Sequence, residues 1–132
     1  IYFGFTYCPD VCPTALQVMS VALGDLGEDA EKVTPVFITV DPERDDVETM
    51  AAYVQHFGDD FVGLTGTPEQ VAAAAKAYKV YYRKVEDASS SAGYTMDHSS
   101  VVYLMSEDNE YLANFTHETQ PERMAARLRQ FL

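Results

Sequence analysis

The sequence lacks three features that would each have pointed to a different class of protein. No apolar run approaches the roughly 20 residues with which a helix crosses a bilayer. Basic residues are scarce, since 9 Lys and Arg stand against 21 Asp and Glu, for a formal net charge of -12 at pH 7. So few cations cannot neutralise a row of phosphates, which argues against nucleic acid and against an anionic membrane surface as partners. Cysteine is limited to 2 residues, which excludes the disulfide framework of a small secreted scaffold.

What remains is the size and composition of a globular domain. The chain has 132 residues, of which 47% are hydrophobic, and this is enough for a core without disulfide stapling. Because the sequence shows no internal repeat and no change of composition, we expect a single domain over residues 1–132. The chain starts inside an apolar stretch with no initiator methionine, and we expect it to be the ordered or processed part of a longer protein.

The two cysteines lie together, between the first strand pattern and the first helix pattern. The opening residues are β-branched or aromatic, as in a buried strand. Cys8 and Cys12 follow in a predicted loop. Pro13 suits the first position of a helix, which predicts that Cys12 is extended and stands at or just before the helix start. There the helix dipole and unpaired backbone N–H groups lower a thiol pKa. The spacing Cys8-x-x-x-Cys12 can close a small disulfide ring or clamp one metal ion, and two packed thiols without a role are the plainer interpretation.

Apolar spacing and turn residues predict alternating strands and helices along the rest of the chain. The first predicted helix covers residues 13–26, with an apolar face of Leu16, Met19, Leu23 and Leu26 and a stop at Gly27. The second is capped by Asp45 with Glu48 and ends at about Phe57, and the third begins with a capping box of Thr67 and Gln70 and ends near Tyr78. The fourth is capped by Thr119 with Glu122, ends at Leu132 and has a core face of Met124, Leu128 and Phe131. The predicted strands cover residues 32–40, 61–65, 80–85, 99–105 and 110–116, the last two as a hairpin. The serine-rich residues 87–97 are predicted to form a long mobile loop. This order indicates an α/β fold, a sheet with flanking helices.

His98 is the candidate third ligand, at the point where the predicted loop meets the hairpin. Its neighbour Asp97 could fix the tautomer of a ligand histidine, although a histidine in such a setting is more often a structural hydrogen-bonding group. In thioredoxin-like folds the segment before the terminal hairpin lies against the cysteine loop and usually carries a cis-proline, where this chain has His98. Two thiolates and one imidazole are too few for structural zinc. Soft sulfur donors with one nitrogen favour copper, above all Cu(I).

Three blocks of the sequence resemble the signature blocks of the Sco/SenC family. They are Phe3-Gly-Phe-Thr-Tyr-Cys-Pro-Asp-Val-Cys-Pro13, Val40-Asp-Pro-Glu-Arg-Asp45 and Tyr94-Thr-Met-Asp-His-Ser99, in the family's order. The resemblance covers essentially the whole chain. It implies a thioredoxin-like fold and a metallochaperone that delivers copper to the dinuclear CuA centre of cytochrome c oxidase. It also implies that Cys8, Cys12 and His98 bind the copper, as Cu(I) or Cu(II).

The same resemblance implies a partner and a location. The partner would be cytochrome c oxidase subunit II or another copper acceptor. Members of the family are usually anchored by one N-terminal membrane helix, on the periplasmic side in bacteria or in the mitochondrial intermembrane space. This sequence contains neither that anchor nor the strands that normally precede the cysteine-block strand, so we expect the fold to look incomplete at its N-terminus.

Four other residues leave alternatives open. Met96 stands where the family more often has a small aliphatic residue, and it either adds a weak thioether contact to copper or fills an apolar gap. Asp41 resembles a family aspartate near the metal loop, and it either supports the site or partner docking, or simply turns the chain after a strand. His56 and His117 match no ligand spacing, and we expect surface residues or hydrogen-bonding groups at the hairpin end.

Two other functions compete with copper delivery. In a thiol-disulfide oxidoreductase, Cys8 would attack a partner disulfide and Cys12 would resolve the mixed disulfide. The fold and the activated thiols favour this function, whereas the three intervening residues and the histidine in place of proline oppose it. A peroxiredoxin would need Thr or Ser three residues before its reactive cysteine, but Phe5 and Pro9 occupy those positions here.

Overall fold

A computed structural model of the chain describes residues 1–6, 11–86, 94–98 and 100–132, with the backbone alone for residues 11, 12, 84–86 and 94–98. The strands are β1 (Tyr2–Gly4), β2 (Val36–Thr39), β3 (Val62–Leu64), β4 (Tyr82–Glu86), β5 (Tyr94–His98), β6 (Val101–Met105) and β7 (Tyr111–Thr116). The α-helices are α1 (Val11–Leu26), α2 (Val47–Val54), α3 (Pro68–Ala77) and α4 (Pro121–Arg129), and a 3₁₀ helix covers Gly27–Lys32. The mixed α/β architecture is the one that the sequence predicts.

The strands form one sheet of five and one ribbon of two. The sheet has the order β3-β2-β1-β6-β7, and the ribbon pairs β4 with β5. Strands β1, β2 and β3 are parallel, whereas β6 is antiparallel to both β1 and β7. Because parallel strands all point the same way, the carboxyl ends of β1, β2 and β3 meet at one edge of the sheet and their amino ends meet at the other.

The centre of the sheet is aromatic and fully buried. Tyr2 and Phe3 of β1 and Phe37 of β2 are 0% exposed, and the rings of Tyr2 and Phe37 stack with centroids 6.2 Å apart. Helix α1 contributes the predicted apolar face, of which Leu16, Met19 and Leu26 are buried and Leu23 is half-buried. Its end at Gly27, predicted as a helix stop, adopts φ +60°, a conformation that glycine reaches without steric cost.

Helix α1 begins two residues earlier than the sequence predicts. It starts at Val11, so the backbone of Cys12 is helical, and the prediction of an extended Cys12 is wrong. Pro13 therefore lies inside the first turn rather than at its first position. The first four N–H groups of a helix have no intrahelical partner, so a proline within this turn removes no helix hydrogen bond.

The predicted cap of α2 is also wrong by one residue. The N-cap is Asp46, whose side chain accepts a 2.8 Å hydrogen bond from the backbone N–H of Thr49. Hydrogen bonds from the backbone and side chain of Thr49 lower the pKa of Asp46. Asp45, predicted as the cap, is instead fully buried and turned into the protein. Gly63 of β3 faces this helix, and a Cβ there would lie 3.1 Å from Cβ of Met50, so glycine permits the close approach.

Of the caps predicted for the last two helices, one is confirmed and one is wrong. Thr67 and Gln70 form the predicted capping box at the start of α3. At α4 the N-cap is Gln120, without a side-chain hydrogen bond, and Pro121 opens the helix. The hydroxyl of Thr119 accepts a hydrogen bond from the N–H of Thr116 at the end of the hairpin instead.

Several element ends differ from their predicted positions. Strand β2 begins only at Val36, because the 3₁₀ helix occupies Gly27–Lys32 and Pro35 has no N–H for a strand ladder. Strand β5 occupies Tyr94–His98, within the predicted loop, while residues 87–93 lie outside the described part of the chain. Helix α4 ends at Arg129, and Phe131, predicted as a core residue, is 41% exposed.

Candidate functional site

The three residues expected to bind metal are placed only in part. Cys8 lies outside the described residues. The backbone of Cys12 lies in the first turn of α1, and the backbone of His98 is the last residue of β5, opposite Tyr82 of β4. The side chains of Cys12 and His98 are likewise outside the described part, so their convergence with Cys8 stays a prediction. Among the side chains that the structure describes, no three His, Cys, Asp or Glu groups gather to hold a metal ion.

The described side chains do show how the edge of the sheet is built where β1 ends, a few residues before Cys8 in the sequence. At the carboxyl edge of the sheet, three threonines end or follow the three parallel strands: Thr6 after β1, Thr39 at the end of β2 and Thr65 after β3. All three bond to Asp45. The side chains of Thr6 and Thr39 donate to its carboxylate, the latter at 2.7 Å, and Thr65 donates to its backbone carbonyl at 2.7 Å. Asp45 therefore connects the ends of three strands.

The carboxylate of Asp45 is 0% exposed and is fully engaged with donors. Its Oδ1 accepts from the hydroxyl of Thr6, and its Oδ2 accepts from the N–H of Thr6 at 3.0 Å and from the hydroxyl of Thr39. Removing a carboxylate from water is costly unless such bonds replace hydration. Bonds to an ionised acceptor are also stronger than neutral ones. The arrangement holds the backbone and the side chain of Thr6 at the same time.

Asp41, one residue before the loop's proline, is the second buried carboxylate at this edge. It is 2% exposed, and its carboxylate accepts a hydrogen bond from Nε of Arg44. Its N–H donates to the hydroxyl of Thr39 at 2.9 Å, and its carbonyl accepts from the N–H groups of Arg44 and Asp45. The guanidinium carbon of Arg44 lies 6.0 Å from the ring centroid of Phe5, at the limit of a cation–π contact. Asp41 thus forms the turn after β2 and also holds Arg44 beside Phe5.

Sequence reasoning missed the group formed by Asp45, Thr6 and Thr39. Asp45 precedes a helix and is followed three residues later by Glu48, and this normal capping pattern predicts that Asp45 caps the helix. The signal that points elsewhere is Thr39, a hydroxyl at the end of an otherwise apolar buried strand. A buried hydroxyl needs a partner, and the nearest acidic residues along the chain are Asp41, Glu43 and Asp45.

A second set of polar contacts fixes the chain just after His98. Oγ of Ser100 lies 2.9 Å from Nδ1 of His117, which follows β7, and 3.5 Å from the hydroxyl of Tyr2 in β1. These contacts confirm the prediction that His117 is a hydrogen-bonding group at the hairpin end. His56 is exposed, as predicted. The segment two residues beyond His98 is therefore attached to the central strand of the sheet.

The opposite edge of the sheet has a different character. A groove of about 950 Å³ opens there, and its walls are mainly apolar side chains, among them Met19, Leu104, Leu128 and Phe131. The nitrogen of Ile1 lies in this region and donates to the carbonyl of Tyr103 at 2.7 Å. In a chain whose amine is free at Ile1, burial lowers the pKa of that amine to about 6. No cysteine or histidine lines the groove among the described residues.

Comparison with known proteins agrees with the fold and with the three sequence blocks. The profile of the SCO1/SenC family matches residues 1–132. An SCO2-like protein of Rickettsia conorii is 40% identical over 98% of this chain and 63% of its own length, and the human mitochondrial SCO1 homolog is 43% identical over 96% and 42%. The structure of Bradyrhizobium japonicum ScoI with copper bound has a TM-score of 0.89 and 43% identity, and covers 99% of this chain and 82% of that one.

The chain spans less than two thirds of the length of these two curated relatives. In the part of the chain that the structure describes, no helix is both long enough and apolar enough to cross a membrane. The likeness to ScoI confirms the thioredoxin-like α/β fold, and the match of the family profile to every residue confirms the resemblance seen in the sequence. The chain belongs to the SCO1/SenC family.

Proposed function

We propose that this chain is a copper metallochaperone that binds one copper ion through Cys8, Cys12 and His98 and delivers it to the CuA site of cytochrome c oxidase. The observation that carries the proposal is the copper-bound ScoI structure, which matches 99% of this chain at a TM-score of 0.89. This chain has two thiols and a histidine in the blocks that match the family. Thiolate and imidazole together form a donor set that selects copper over harder cations.

The local structure around Cys12 supports metal binding by its thiolate. Cys12 is the second residue of α1, a helix of 16 residues. N–H groups of the first turn have no partner within the helix, and the helix dipole places partial positive charge there. Both effects favour a thiolate over a thiol, and thiolates are the form that binds metals. Acid or disulfide formation should therefore release the copper.

An anaerobic competition titration with Cu(I) tests the proposal. The fully reduced protein is expected to hold one equivalent of Cu(I) against a chromophoric competitor. His98→Ala is expected to weaken this binding at least about 100-fold, because losing only a group that hydrogen-bonds to a metal ligand already costs 10–100-fold in affinity. His56→Ala is the matched control, because His56 is exposed and lies at the end of α2. A wild-type protein with no tightly held equivalent, or with binding indifferent to His98, would contradict the proposal.

Thiol-disulfide exchange is the second candidate function, and the helical position of Cys12 is the observation that favours it. In that reaction Cys8 attacks a partner disulfide, and Cys12 displaces the partner's thiol to leave a Cys8–Cys12 disulfide and a reduced partner. His98→Ala separates the two functions, because exchange needs no third ligand. If His98→Ala still reduces a disulfide substrate like the wild-type protein but no longer retains copper, His98 serves copper binding alone.

The context of the protein follows from the same family membership. We infer that the 132 residues form one thioredoxin-like domain of a longer, membrane-anchored protein. It would face the bacterial periplasm or the mitochondrial intermembrane space, where its acceptor is subunit II of cytochrome c oxidase or another copper protein. Buried apolar residues of the sheet and of helices α1 to α4 belong to a single core cluster, which supports one domain.

A further inference from the structure

We propose that Asp45 is a positioning residue for the thiol site: by holding Thr6, it sets where the Cys8 loop starts, and so tunes both the copper affinity and the redox equilibrium of Cys8 and Cys12. The inference rests on the proposed function and extends it to a residue outside the expected ligand set. Its basis is the buried hydrogen-bonded group of Asp45, Thr6 and Thr39 at the carboxyl edge of the sheet.

The contacts of Asp45 are concentrated on the residue that leads into the loop. Two of its three carboxylate contacts come from Thr6, one from the N–H at 3.0 Å and one from the hydroxyl. The third comes from Thr39 at 2.7 Å and fixes the carboxylate itself to β2. Thr6 is consequently attached to the neighbouring strand through side chains, beyond the last residue of β1.

Thr6 is close enough to Cys8 for this attachment to matter. Two residues of extended chain span at most roughly 7 Å, so a fixed Thr6 restricts the region that the Cys8 thiolate can reach. A loop held at its start also loses less conformational entropy when it binds metal. Groups that hydrogen-bond directly to a metal ligand alter affinity 10–100-fold by orienting it, and Thr6, which acts through two residues of chain, is expected to lie at the low end of that range.

The chemistry of the group explains why an aspartate stands at this position. A carboxylate only accepts hydrogen bonds, and it can take several at once. Here all the groups facing it are donors, and the N–H of Thr6 has no alternative orientation. An asparagine would carry no charge to strengthen the bonds, and its NH₂ group would force the hydroxyl of Thr6 to accept where it now donates.

Five variants test the inference. Thr6→Val removes the hydroxyl with little change of shape, and Asp45→Asn removes the charge. Each is expected to weaken Cu(I) binding about 10-fold or more. The double variant is expected to bind Cu(I) no more weakly than the weaker-binding single variant, because both substitutions act through one contact. Thr6→Ser keeps the hydroxyl and should recover most of what Thr6→Val loses. Asp46→Asn is the matched control, because it changes the adjacent, exposed helix cap and not Thr6.

A second readout does not depend on copper. Reduced and oxidised forms of each variant are equilibrated with glutathione, trapped by alkylation and counted by mass spectrometry. Thr6→Val and Asp45→Asn are expected to shift the Cys8–Cys12 equilibrium constant at least threefold, whereas Asp46→Asn, which removes a charge at the helix cap while keeping a good capping residue, leaves it unchanged. A change in stability that is equal in the oxidised and reduced forms does not move this constant.

The outcomes separate the inference from the proposed function. If wild-type protein binds Cu(I) and both site variants bind it like Asp46→Asn, the inference is wrong and the function stands. If wild-type protein binds no Cu(I), the function fails and the glutathione equilibrium alone decides the inference. Should Asp45→Asn not fold, Thr6→Val decides it, since that variant leaves Asp45 bonded to the N–H of Thr6 and to Thr39.

Discussion

The two edges of the three parallel strands differ in how they are held together. At the carboxyl edge, Asp45 and Asp41 are buried and bonded to threonines, backbone N–H groups and Arg44. At the amino edge, an apolar groove of about 950 Å³ takes the place of a polar network. Strands β1 and β2 contribute to both edges. The polar or apolar character of an edge therefore comes from the residues that lie just beyond the strand ends and not from the sheet itself.

This difference shows how one sheet separates chemistry from packing. Hydrogen bonds are directional and fix the residues that they join, which suits the edge where β1 ends just before the two cysteines of the sequence. Apolar contacts depend on area and tolerate small shifts. Open α/β sheets bind their ligands at the carboxyl ends of the strands, and the cysteine loop of this chain leaves β1 at that edge.

The largest expected effect comes from breaking the polar edge. Asp45→Ala leaves the N–H of Thr6 and the hydroxyls of Thr6 and Thr39 without their acceptor, in a site that is buried at Thr39 and half-buried at Thr6. Because each unsatisfied buried group costs about 1–3 kcal/mol, and hydroxyls can turn to other partners, we expect a loss of about 3–4 kcal/mol in unfolding free energy. Urea unfolding measures it, and Asp46→Ala, a cap substitution expected to cost about 1 kcal/mol, is the control. Equal losses in the two variants would refute the distinction between a buried role for Asp45 and a surface cap at Asp46.

The next effect is a dependence of the unfolding free energy on pH that arises at the amino edge. In a chain whose amine is free at Ile1, burial lowers the pKa from 8.0 to about 6. The unfolded state therefore binds more protons between these values, and stability rises as the pH increases from 6 to 8. Two pKa units correspond to up to about 3 kcal/mol. Acetylation of the amine should abolish this rise, and a rise that persists after acetylation would assign it to another group.

A cavity at the amino edge should cost somewhat less. Leu128 of α4 is 6% exposed and lines the groove. Leu128→Ala is expected to lower the unfolding free energy by about 2–3 kcal/mol, at the lower end for such changes, because the walls of an open groove can relax. Leu128→Met, which nearly conserves volume, is the control and should cost less than about 1.5 kcal/mol. A loss above about 4 kcal/mol would indicate a closed, rigid core at this edge.

The smallest effect belongs to the rim of the groove. Phe131 is 41% exposed, and Phe131→Gln should change the unfolding free energy by less than about 0.5 kcal/mol. Thermal unfolding checks this expectation, with Leu128→Ala as the reference for a buried position. A large loss on Phe131→Gln would restore the original prediction that Phe131 belongs to the core.

The features predicted well are those governed by local sequence. The capping box of Thr67 and Gln70 depends on residues three apart, and it forms as expected. The stop at Gly27 depends on one residue's freedom to adopt a positive φ. The hairpin of β6 and β7 follows from two strand patterns on either side of a short turn, and the apolar face of α1 follows from its spacing. Each of these needs no information from distant residues.

The features predicted wrongly are those for which distant residues compete. Strand β5 forms where a loop was expected, because β4 offers it a pairing partner that serine-rich sequence does not reveal. Thr119 was expected to cap α4, but its hydroxyl serves the end of the hairpin. In both cases the local pattern was compatible with two structures, and a contact elsewhere selected one.

The sequence by itself determined the family, the α/β order of elements and the identity of the residues expected to bind copper, Cys8, Cys12 and His98, because residue type and spacing carry that information. Only the tertiary structure decided the role of Asp45. Its local sequence suits a helix cap, but its partners Thr39 and Thr6 stand 6 and 39 positions away. Folding brings their donors together in a buried site, where an unpaired group costs more than a missing cap at the surface, so the buried bonds prevail.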